Sequence, residues 1–373
     1  MKFVELPVRN IRSHRIRFVL TSLGIAIALA GMLALVGLSH GLERSWILSL
    51  QEKGTHLVAV QKGSIDTLAA MLDERLAEPM RRVPGVAGVM AGIGDLVDLE
   101  TGQMAYLSGW PLDSDFWRTL KVTQGRPPGA SDPEGVVLGE TLATSLSKGL
   151  GDSIELSGRS FKIVAISRQP SVLDDRSVMI PMPAMQKLLG REGKASGFHI
   201  RLQHPETDGE SNRVRSRLAS AFPTLSFIET SEVGRETLIV RLLHAIAWSS
   251  STIALGMAFV AILNTLLMSV NERTRDLGLL CAVGWSPLRV MTMVLLDGLL
   301  LSAAGAALGI GLGLAGLHWI TAHPKLGGLF QPEVTPGLVL ECVLMALLLG
   351  LLGGLYPAWR ATRLDPMSLL RNE

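Results

Sequence analysis

Cysteine is almost absent from this chain, which has only Cys281 and Cys342 among its 373 residues. Both lie in or beside apolar stretches, so no disulfide framework can stabilise the long polar stretch of residues 41–244, and no cysteine spacing of a metal site exists. A strong excess of positive charge is also absent, since the formal net charge is +2. A nucleic-acid-binding protein needs a concentrated basic surface, so we expect no nucleic-acid partner.

Motifs of several enzyme classes are missing as well. The Walker A pattern G-x-x-x-x-G-K-[ST] does not occur, so we expect that this chain does not itself hydrolyse ATP. The eight histidines are scattered, and His318 and His323 are five residues apart, a spacing that does not stack on one helical face. We therefore predict no catalytic residue, no metal site and no cofactor in this chain, and a protein that is not an enzyme.

Long apolar stretches are what the sequence has in excess. They cover residues 18–40, 245–270, 290–320 and 338–357. About 20 apolar residues in a helix span a hydrocarbon core about 30 Å thick, so each stretch is predicted to be a transmembrane helix. The first stretch could instead be a cleaved signal peptide, but its apolar run is too long and lacks a small-x-small cleavage site.

The predicted fold class is therefore a membrane protein with four transmembrane α-helices and a large α+β extracytoplasmic domain, residues 41–244, inserted between helices 1 and 2. Basic residues are expected on the cytoplasmic side. They occur in the entry helix 1–17, in the connection 271–289 and in the tail 358–373, whereas the loop 321–337 has only Lys325. This distribution predicts a multi-pass protein of the bacterial cytoplasmic (inner) membrane with both termini in the cytoplasm.

Local patterns predict several elements of the extracytoplasmic domain. A helix should continue the first span through Trp46, and another, with Ser231 as its N-cap, should lead into the second span. Further predictions are a helix at 65–82, a hairpin of strands 153–156 and 161–164, a helix at 183–189 and a strand at 198–202. The charged run Asp174-Asp175-Arg176 is interpreted as a solvated loop.

Polar and small residues inside the spans are candidates for a function or for helix packing. We identify Asp297 as the one ionisable residue inside a span, and Asn264 as a polar residue of the second. Asp297 is either a functional carboxylate or, as we favour, a structural hydrogen-bonding group, because it lacks an evident basic partner. Small residues at a spacing of four let helix backbones approach closely, which predicts packing positions at Gly305, Gly309, Gly313, Gly350 and Gly354.

Three stretches together resemble the MacB/FtsX/LolC-type ABC transporter permeases, a type VII, mechanotransmission-like family. The first runs from Arg9 through Ile25 and is similar to the family's entry helix and first span. The second, from Asn271 to Gly284, is similar to its cytoplasmic E-R-x-R-E-[IL]-G-x-L-x-A-x-G segment, with Asp276 in place of the usual glutamate. The third, from Tyr356 to Arg371, is similar to its P-A-x-x-A-x-x-x-x-P terminus.

The resemblance implies an ABC-type permease subunit that contacts a separate cytoplasmic ATPase, where ATP and Mg would bind, and a second permease copy, as a homodimer or with a paralogue. A periplasmic adaptor is left open. Residues 271–289 would couple the permease to the ATPase, through charged contacts and an apolar face. The residues concerned are Glu272, Arg273, Arg275, Asp276, Leu277, Gly278, Leu279, Leu280 and Gly284.

Two functions remain open at this point. One is the export or extraction of an amphipathic or lipophilic substrate, driven by ATP hydrolysis in the partner. The other is an FtsX-like signalling or scaffolding role, in which the chain regulates an external enzyme without transporting cargo.

Overall fold

The structure is a computed structural model, and it describes residues 15–63, 70–99, 102, 104–129, 131–207, 209–322 and 332–363. The chain divides into two compact units. The first comprises Met1–Ser39, Leu243–Ile320 and Pro332–Glu373, and the second His40–Leu242 and Thr321–Gln331. Most of the predicted entry helix 1–17, of the loop 321–337 and of the tail 358–373 lies outside the described residues.

The described helices and strands are numbered in chain order. The helices are α1 (Arg15–Glu52), α2 (Ala77–Arg81), α3 (Phe116–Thr119), α4 (Glu140–Leu146), α5 (Val172–Asp175), α6 (Met182–Leu189), α7 (Glu210–Ala221), α8 (Thr230–Glu236), α9 (Leu238–Glu272), α10 (Thr274–Ala282), α11 (Pro287–Ala322) and α12 (Pro336–Thr362). The strands are β1 (Leu57–Gln61), β2 (Leu72–Asp73), β3 (Val86–Asp98), β4 (Met104–Trp110), β5 (Val122–Gly125), β6 (Val136–Gly139), β7 (Ser153–Leu156), β8 (Arg159–Ser167), β9 (Ser177–Pro181), β10 (Lys194–Ala195), β11 (Gly197–Leu202) and β12 (Leu225–Glu229).

Four helices in the described part of the chain, α1, α9, α11 and α12, are long and apolar enough to cross a membrane. The four apolar stretches of the sequence are therefore confirmed as helices of the required length. The side chains buried between them are mostly aliphatic, including Ile25, Leu29, Ile262 and Leu301, with a few hydroxyls such as that of Ser302. Helices in lipid satisfy their own backbone hydrogen bonds, so the interior of such a bundle can be largely apolar.

Glycines let three of these helices approach one another closely. A Cβ atom on Gly309 of α11 would lie 2.8 Å from the carbonyl oxygen of Ala26 in α1. Gly305 and Gly313 meet the same helix, with distances of 2.7 Å to Ile25 and 2.8 Å to Leu33. The three positions follow one face of α11 at a spacing of four, so they form a backbone-to-backbone seam with α1.

The α12 glycines contact different helices. A Cβ on Gly350 would lie 2.8 Å from the carbonyl oxygen of Gly298 in α11 and would overlap the hydroxyl of Ser302. Gly354 has looser neighbours, the nearest being Leu295 at 3.3 Å. Gly298, which the sequence analysis did not single out, is thus part of the closest α11–α12 approach.

The second unit is built on one mixed sheet. Its strand order is β12-β1-β11-β3-β4-β9-β6-β8-β5, with β7 paired to β8. The pairs β4–β9 and β6–β8 are parallel, and the remaining pairs are antiparallel. The 13-residue strand β3 joins the two halves, because its residues 86–92 pair with β11 and its residues 93–98 with β4. An α+β domain therefore stands between α1 and α9, as predicted.

The local predictions for this unit had mixed outcomes. The hairpin, now β7–β8, the helix α6 and the strand β11 are confirmed. The helix predicted at 65–82 is wrong over 72–73, which form a strand, and only Ala77–Arg81 is α-helical there; residues 64–69 lie outside the described part. Ser231 is not the N-cap: Glu229 caps α8. Thr237 then adopts an extended backbone and separates α8 from α9.

His199 of β11 is packed beside aromatic rings inside the second unit. Its ring centroid lies 4.9 Å from that of Trp110, and its Nδ1 lies 3.3 Å from the hydroxyl of Thr55. Burial, and secondarily the positive charge of Lys53, lower the pKa of His199 to about 3. The imidazole is therefore neutral in the folded protein at any physiological pH.

We predict that replacing Gly309 by Val lowers the stability of the helical bundle, because a side chain there meets the rigid backbone of α1. Overpacking of this kind typically costs about 1–3 kcal/mol. The matched control is Gly311→Val on the same helix, since no atom lies within 4 Å of a Cβ at that position. Thermal unfolding of both variants in one detergent tests this. Equal midpoints would contradict the packing assignment.

We predict that acid destabilises the second unit through His199. Its folded pKa is about 3 against an ordinary value of 6.5, so the unfolded state binds more protons between these values. The stability is fully present above about pH 6.5 and is lost as the pH falls, by at most about 1.4 kcal/mol per pH unit. Burial lowers the pKa of His56 as well, so His199→Gln should reduce this slope without abolishing it.

The slope is obtained from urea unfolding of the full chain, followed by tryptophan fluorescence between pH 7 and pH 4.5. A His199→Gln variant with an unchanged slope would show that His199 does not carry this proton linkage.

Candidate functional site

The short helix α10 connects α9 to α11 and contains most of the residues predicted to couple this chain to a partner. Arg273 interrupts the helical course after α9. The helix α10 ends at Ala282, and Gly284, two residues further on, has a φ of +101° that only glycine adopts without strain. Trp285 N–H donates to the carbonyl of Leu280 and Gly284 N–H to that of Cys281, the two bonds of a Schellman motif. This turn fixes where α10 stops and α11 begins.

Two ion pairs hold the beginning of this connection against the bundle. The guanidinium of Arg17 donates two hydrogen bonds of 2.9 Å to the carboxylate of Glu272. Arg273 lies 3.7 Å from Asp297 of α11. Asp297 therefore has a basic partner, and our description of it as an acid without one is wrong. The partner was missed because 24 positions separate the two residues in the sequence, and no local pattern links them.

One face of α10 packs inward. Leu277 is 2 % exposed and belongs to an apolar cluster with Val270, Val290, Met293, Val294, Ala358 and Ala361. Gly278 is buried beside it, and Leu280 packs against the same cluster. The apolar face predicted for partner binding is thus largely used inside the unit.

The opposite face of α10 points outward. Arg275, Asp276, Leu279 and Val283 are all exposed, Leu279 by 49 % and Val283 by 82 %. Positions 275, 279 and 283 repeat at intervals of four and so share one side of the segment, with Val283 as the C-cap residue that follows α10. We call these four residues, Arg275, Asp276, Leu279 and Val283, the outer α10 face. It presents charge of both signs next to exposed aliphatic side chains, a composition suited to a groove on another protein.

The remaining predicted residues lie elsewhere in the bundle. Asn264 is exposed on α9, whereas the five glycines named from the sequence lie between helices. Asp297 is not the one ionisable residue within the predicted spans, because Glu341 falls within residues 338–357. Among the described residues, no group of three or more His, Cys, Asp or Glu side chains is placed to hold a metal ion.

One motif escaped the sequence analysis. Gly37-Leu38-Ser39-His40-Gly41 spells G-x-S-x-G, the pattern of a nucleophile elbow, which requires a sharp strand-to-helix turn. Here the pattern lies in the middle of α1. The Ser39 hydroxyl is buried and lies 2.8 Å from Nδ1 of His244 in α9. This contact joins two helices and does not present a nucleophile to a substrate.

Comparisons with known proteins cover both parts of the chain. Residues 18–214 match the family described as the MacB-like periplasmic core domain, and residues 248–366 match the FtsX-like permease C-terminal family. An uncharacterized ABC transporter permease of Methanocaldococcus jannaschii is 24 % identical over 390 residues, covering 99 % of this chain and 98 % of the relative. The uncharacterized ABC transporter permease YknZ of Bacillus subtilis is 22 % identical, with 99 % and 98 % covered.

Longer relatives and solved structures also match. The macrolide export ATP-binding/permease protein MacB of Shewanella sp. is 25 % identical over 99 % of this chain and 60 % of its own length. The chain thus spans about three fifths of the length of that relative. The crystal structure of the periplasmic region of MacB from Actinobacillus actinomycetemcomitans is 14 % identical, with a TM-score of 0.38 over 51 % of this chain and 96 % of that one.

We predict that the two faces of α10 differ in what they contribute to stability. Leu277→Ala should destabilise the chain by about 2–5 kcal/mol, because it leaves a cavity in a packed cluster. Leu279→Ala removes the same atoms from an exposed position and should change stability by no more than about 0.5 kcal/mol. Thermal unfolding in a common detergent measures both, and similar losses for the two variants would contradict the orientation of α10.

Proposed function

The chain belongs to the family of ABC transporter permeases that combine a MacB-like periplasmic core domain with an FtsX-like C-terminal region, and from this premise we propose that it couples ATP hydrolysis in a separate ATPase subunit to movement of its extracytoplasmic unit. In this proposal the ATP and Mg²⁺ bind the partner, and this chain supplies no catalytic residue. Both termini and α10 lie in the cytoplasm, and the permease acts as a dimer or with a paralogue.

The outer α10 face is the observation that carries this proposal. A docking helix must be held rigidly on its own subunit while a second face stays available to the partner. The inward packing of Leu277 and the Schellman turn at Gly284 give α10 the first property. The exposure of Leu279 and Val283 gives it the second. Because Glu272 and Arg273 are engaged with Arg17 and Asp297, we assign partner binding to the outer face and positioning to these two residues.

The first long helix supports transmission from the cytoplasm to the outside. The helix α1 is continuous from Arg15 to Glu52 and enters both units of the chain. Its length of 38 residues corresponds to about 57 Å, well beyond the thickness of a hydrocarbon core. A rigid helix of this length carries a displacement at its cytoplasmic end to its other end, so movement induced by the ATPase would reach the sheet that follows α1.

An amphipathic or lipophilic substrate fits the composition of the bundle better than a hydrophilic one. The described side chains buried between the long helices are predominantly apolar, with a few hydroxyls such as those of Thr21, Ser251 and Ser302, so a polar cargo would find few compensating hydrogen bonds among them. The Shewanella relative is named for the export of macrolides. The FtsX-like signalling role is not favoured, because more than half of the chain matches the MacB-like core domain.

We predict that substitutions on the outer α10 face weaken association with the ATPase. The double substitution Leu279→Ala and Val283→Ala should weaken binding at least about tenfold, the equivalent of about 1.4 kcal/mol, because both side chains lose their apolar contact. The matched control is Leu352→Ala, which removes an exposed leucine from α12.

The measurement is affinity purification of the full chain from native membranes in mild detergent, with quantification of any ATPase that accompanies it. Unchanged recovery after the double substitution would argue against α10 as the docking helix. Failure of the unmodified chain to recover an ATPase would overturn the proposed function itself.

A further inference from the structure

The C-terminal end of α1 is hydrogen-bonded to the region of the short helix α5, which belongs to the half of the sheet that contains β9. Ser45 and Ser49 lie four residues apart on one face of α1, and Lys53, four positions further on, is the turn residue that follows the helix. Ser45 accepts two hydrogen bonds. The Ser171 hydroxyl donates to its carbonyl over 2.9 Å, and the Leu173 N–H donates to its hydroxyl over 3.1 Å. We call this contact between α1 and α5 the α1–α5 seam.

A buried ion pair closes the seam. Lys53 Nζ lies 2.8 Å from Oδ2 of Asp174, and each side chain is 6 % exposed. The ammonium also donates to the carbonyl and the hydroxyl of Ser49. The interpretation of Asp174 as part of a solvated loop is therefore wrong. Because a buried charge without a partner is strongly unfavourable, Lys53 and Asp174 hold α1 and α5 in a single register.

Aromatic rings complete the surroundings of this pair. Lys53 Nζ lies 5.5 Å from the ring centroid of Trp110 and 5.9 Å from that of Phe116. About two turns earlier, Trp46 of α1 packs edge-on against Tyr106, with centroids 5.8 Å apart. Trp110 and Tyr106 belong to β4. The last two turns of α1 are thus attached by polar and aromatic contacts to the half of the sheet that begins at β4.

The connectivity makes this attachment mechanically significant. Along the chain, α1 leads directly into β1, which pairs with β11 and β12. The other half, built from β4, β9, β6, β8 and β5, is joined to the first half within the sheet through β3. The helix α5 immediately precedes β9. The seam therefore links α1 to this second half without passing through β1.

We propose that Lys53 and Asp174 are coupling residues that transmit a displacement of α1 to the half of the extracytoplasmic unit containing β9. The proposal rests on the proposed function, which supplies the displacement. A flexible apolar contact would allow the end of α1 to slide past α5. A buried ion pair flanked by hydrogen bonds has one favourable register, so α5 and β9 follow the helix when it moves.

The test measures distances in the full permease–ATPase complex in nanodiscs, with and without ATP. Spin labels are attached through genetically encoded ketone side chains, so that cysteines stay available. One pair joins α1 to α7, at residues 44 and 219, and reports on the first half of the sheet. The other joins α1 to β8, at residues 44 and 162, and reports on the second half. In the unmodified complex both distances should stay unchanged on ATP addition, because both halves move with α1. A third pair, residue 162 in each of the two permease copies, should report the movement itself as a changed distance between the copies.

In Lys53→Met, the distribution of α1–β8 distances should become at least twofold wider. Its mean should also shift on ATP addition, because the second half no longer follows α1. The α1–α7 distance should behave as in the unmodified protein. The matched control is Lys62→Met, a lysine at the end of the β1 segment outside the seam. Unchanged α1–β8 distances in Lys53→Met would overturn the proposal.

A cross-link separates coupling from simple loss of folding. The Ser45 and Ser171 hydroxyl oxygens lie 3.3 Å apart, so Ser45→Cys with Ser171→Cys places two thiols across the seam. Added to Lys53→Met, this pair should restore a narrow α1–β8 distance when oxidised and lose it again when reduced. If oxidation restores nothing, or the variant unfolds at a much lower temperature in both redox states, the seam only stabilises the fold and the proposal fails.

The two proposals fail in different ways. If ATP leaves the distance between the two residues 162 of the unmodified complex unchanged, the proposed function is wrong. If ATP changes that distance equally in the unmodified complex and in Lys53→Met, and the α1–β8 distance stays unchanged in both, the proposed function stands and the coupling role of the seam is wrong.

Discussion

Close backbone contact between helices is the constraint on which the membrane unit depends. In a lipid environment apolar side chains gain nothing from being buried against one another instead of against lipid, so helix association relies on packing at short range. Gly305, Gly309 and Gly313 supply that packing between α11 and α1. The helix α1 also continues along the chain from this unit into the other. The spacing of four residues therefore sets the register of the helix that we propose to transmit movement.

The short helix α10 also depends on packing contacts with the bundle. A nine-residue helix is too short to be stable on its own, so its inward face must be fixed by contacts with the bundle. Leu277 and the Schellman turn at Gly284 provide this, and the ion pairs of Glu272 and Arg273 secure the preceding residues. What remains for a partner is a narrow strip of the helix. The segment looks uniform in the sequence. In the structure its inward residues hold α10 in position, whereas its outward residues are exposed.

The sequence predicted the features that depend on local pattern and length. Apolar stretches of 20 or more residues have few alternatives to a transmembrane helix, and the hairpin of β7 and β8 follows from Ser157-Gly158 between two short strands. It could not predict the partners of isolated charges. Arg273 with Asp297, and Lys53 with Asp174, are pairs made by the tertiary fold between residues 24 and 121 positions apart. The helix predicted over 65–82 failed for a related reason, since pairing of β2 with β10 overrides the helical preference of residues 72–73.

Asp174 illustrates why a charge run is weak evidence for a solvated surface. Its neighbour Asp175 accepts a hydrogen bond from the backbone N–H of Gln169, whereas Asp174 is buried against Lys53. A protein that needed only stability at this place would gain as much from an apolar pair, because desolvating two charges offsets most of their attraction. What an ion pair adds is directionality: two apolar side chains tolerate sliding by a fraction of a helical turn, and a short hydrogen-bonded ion pair does not. The pair lies at the end of the helix that we propose to move as a rigid rod, and there that property has a use.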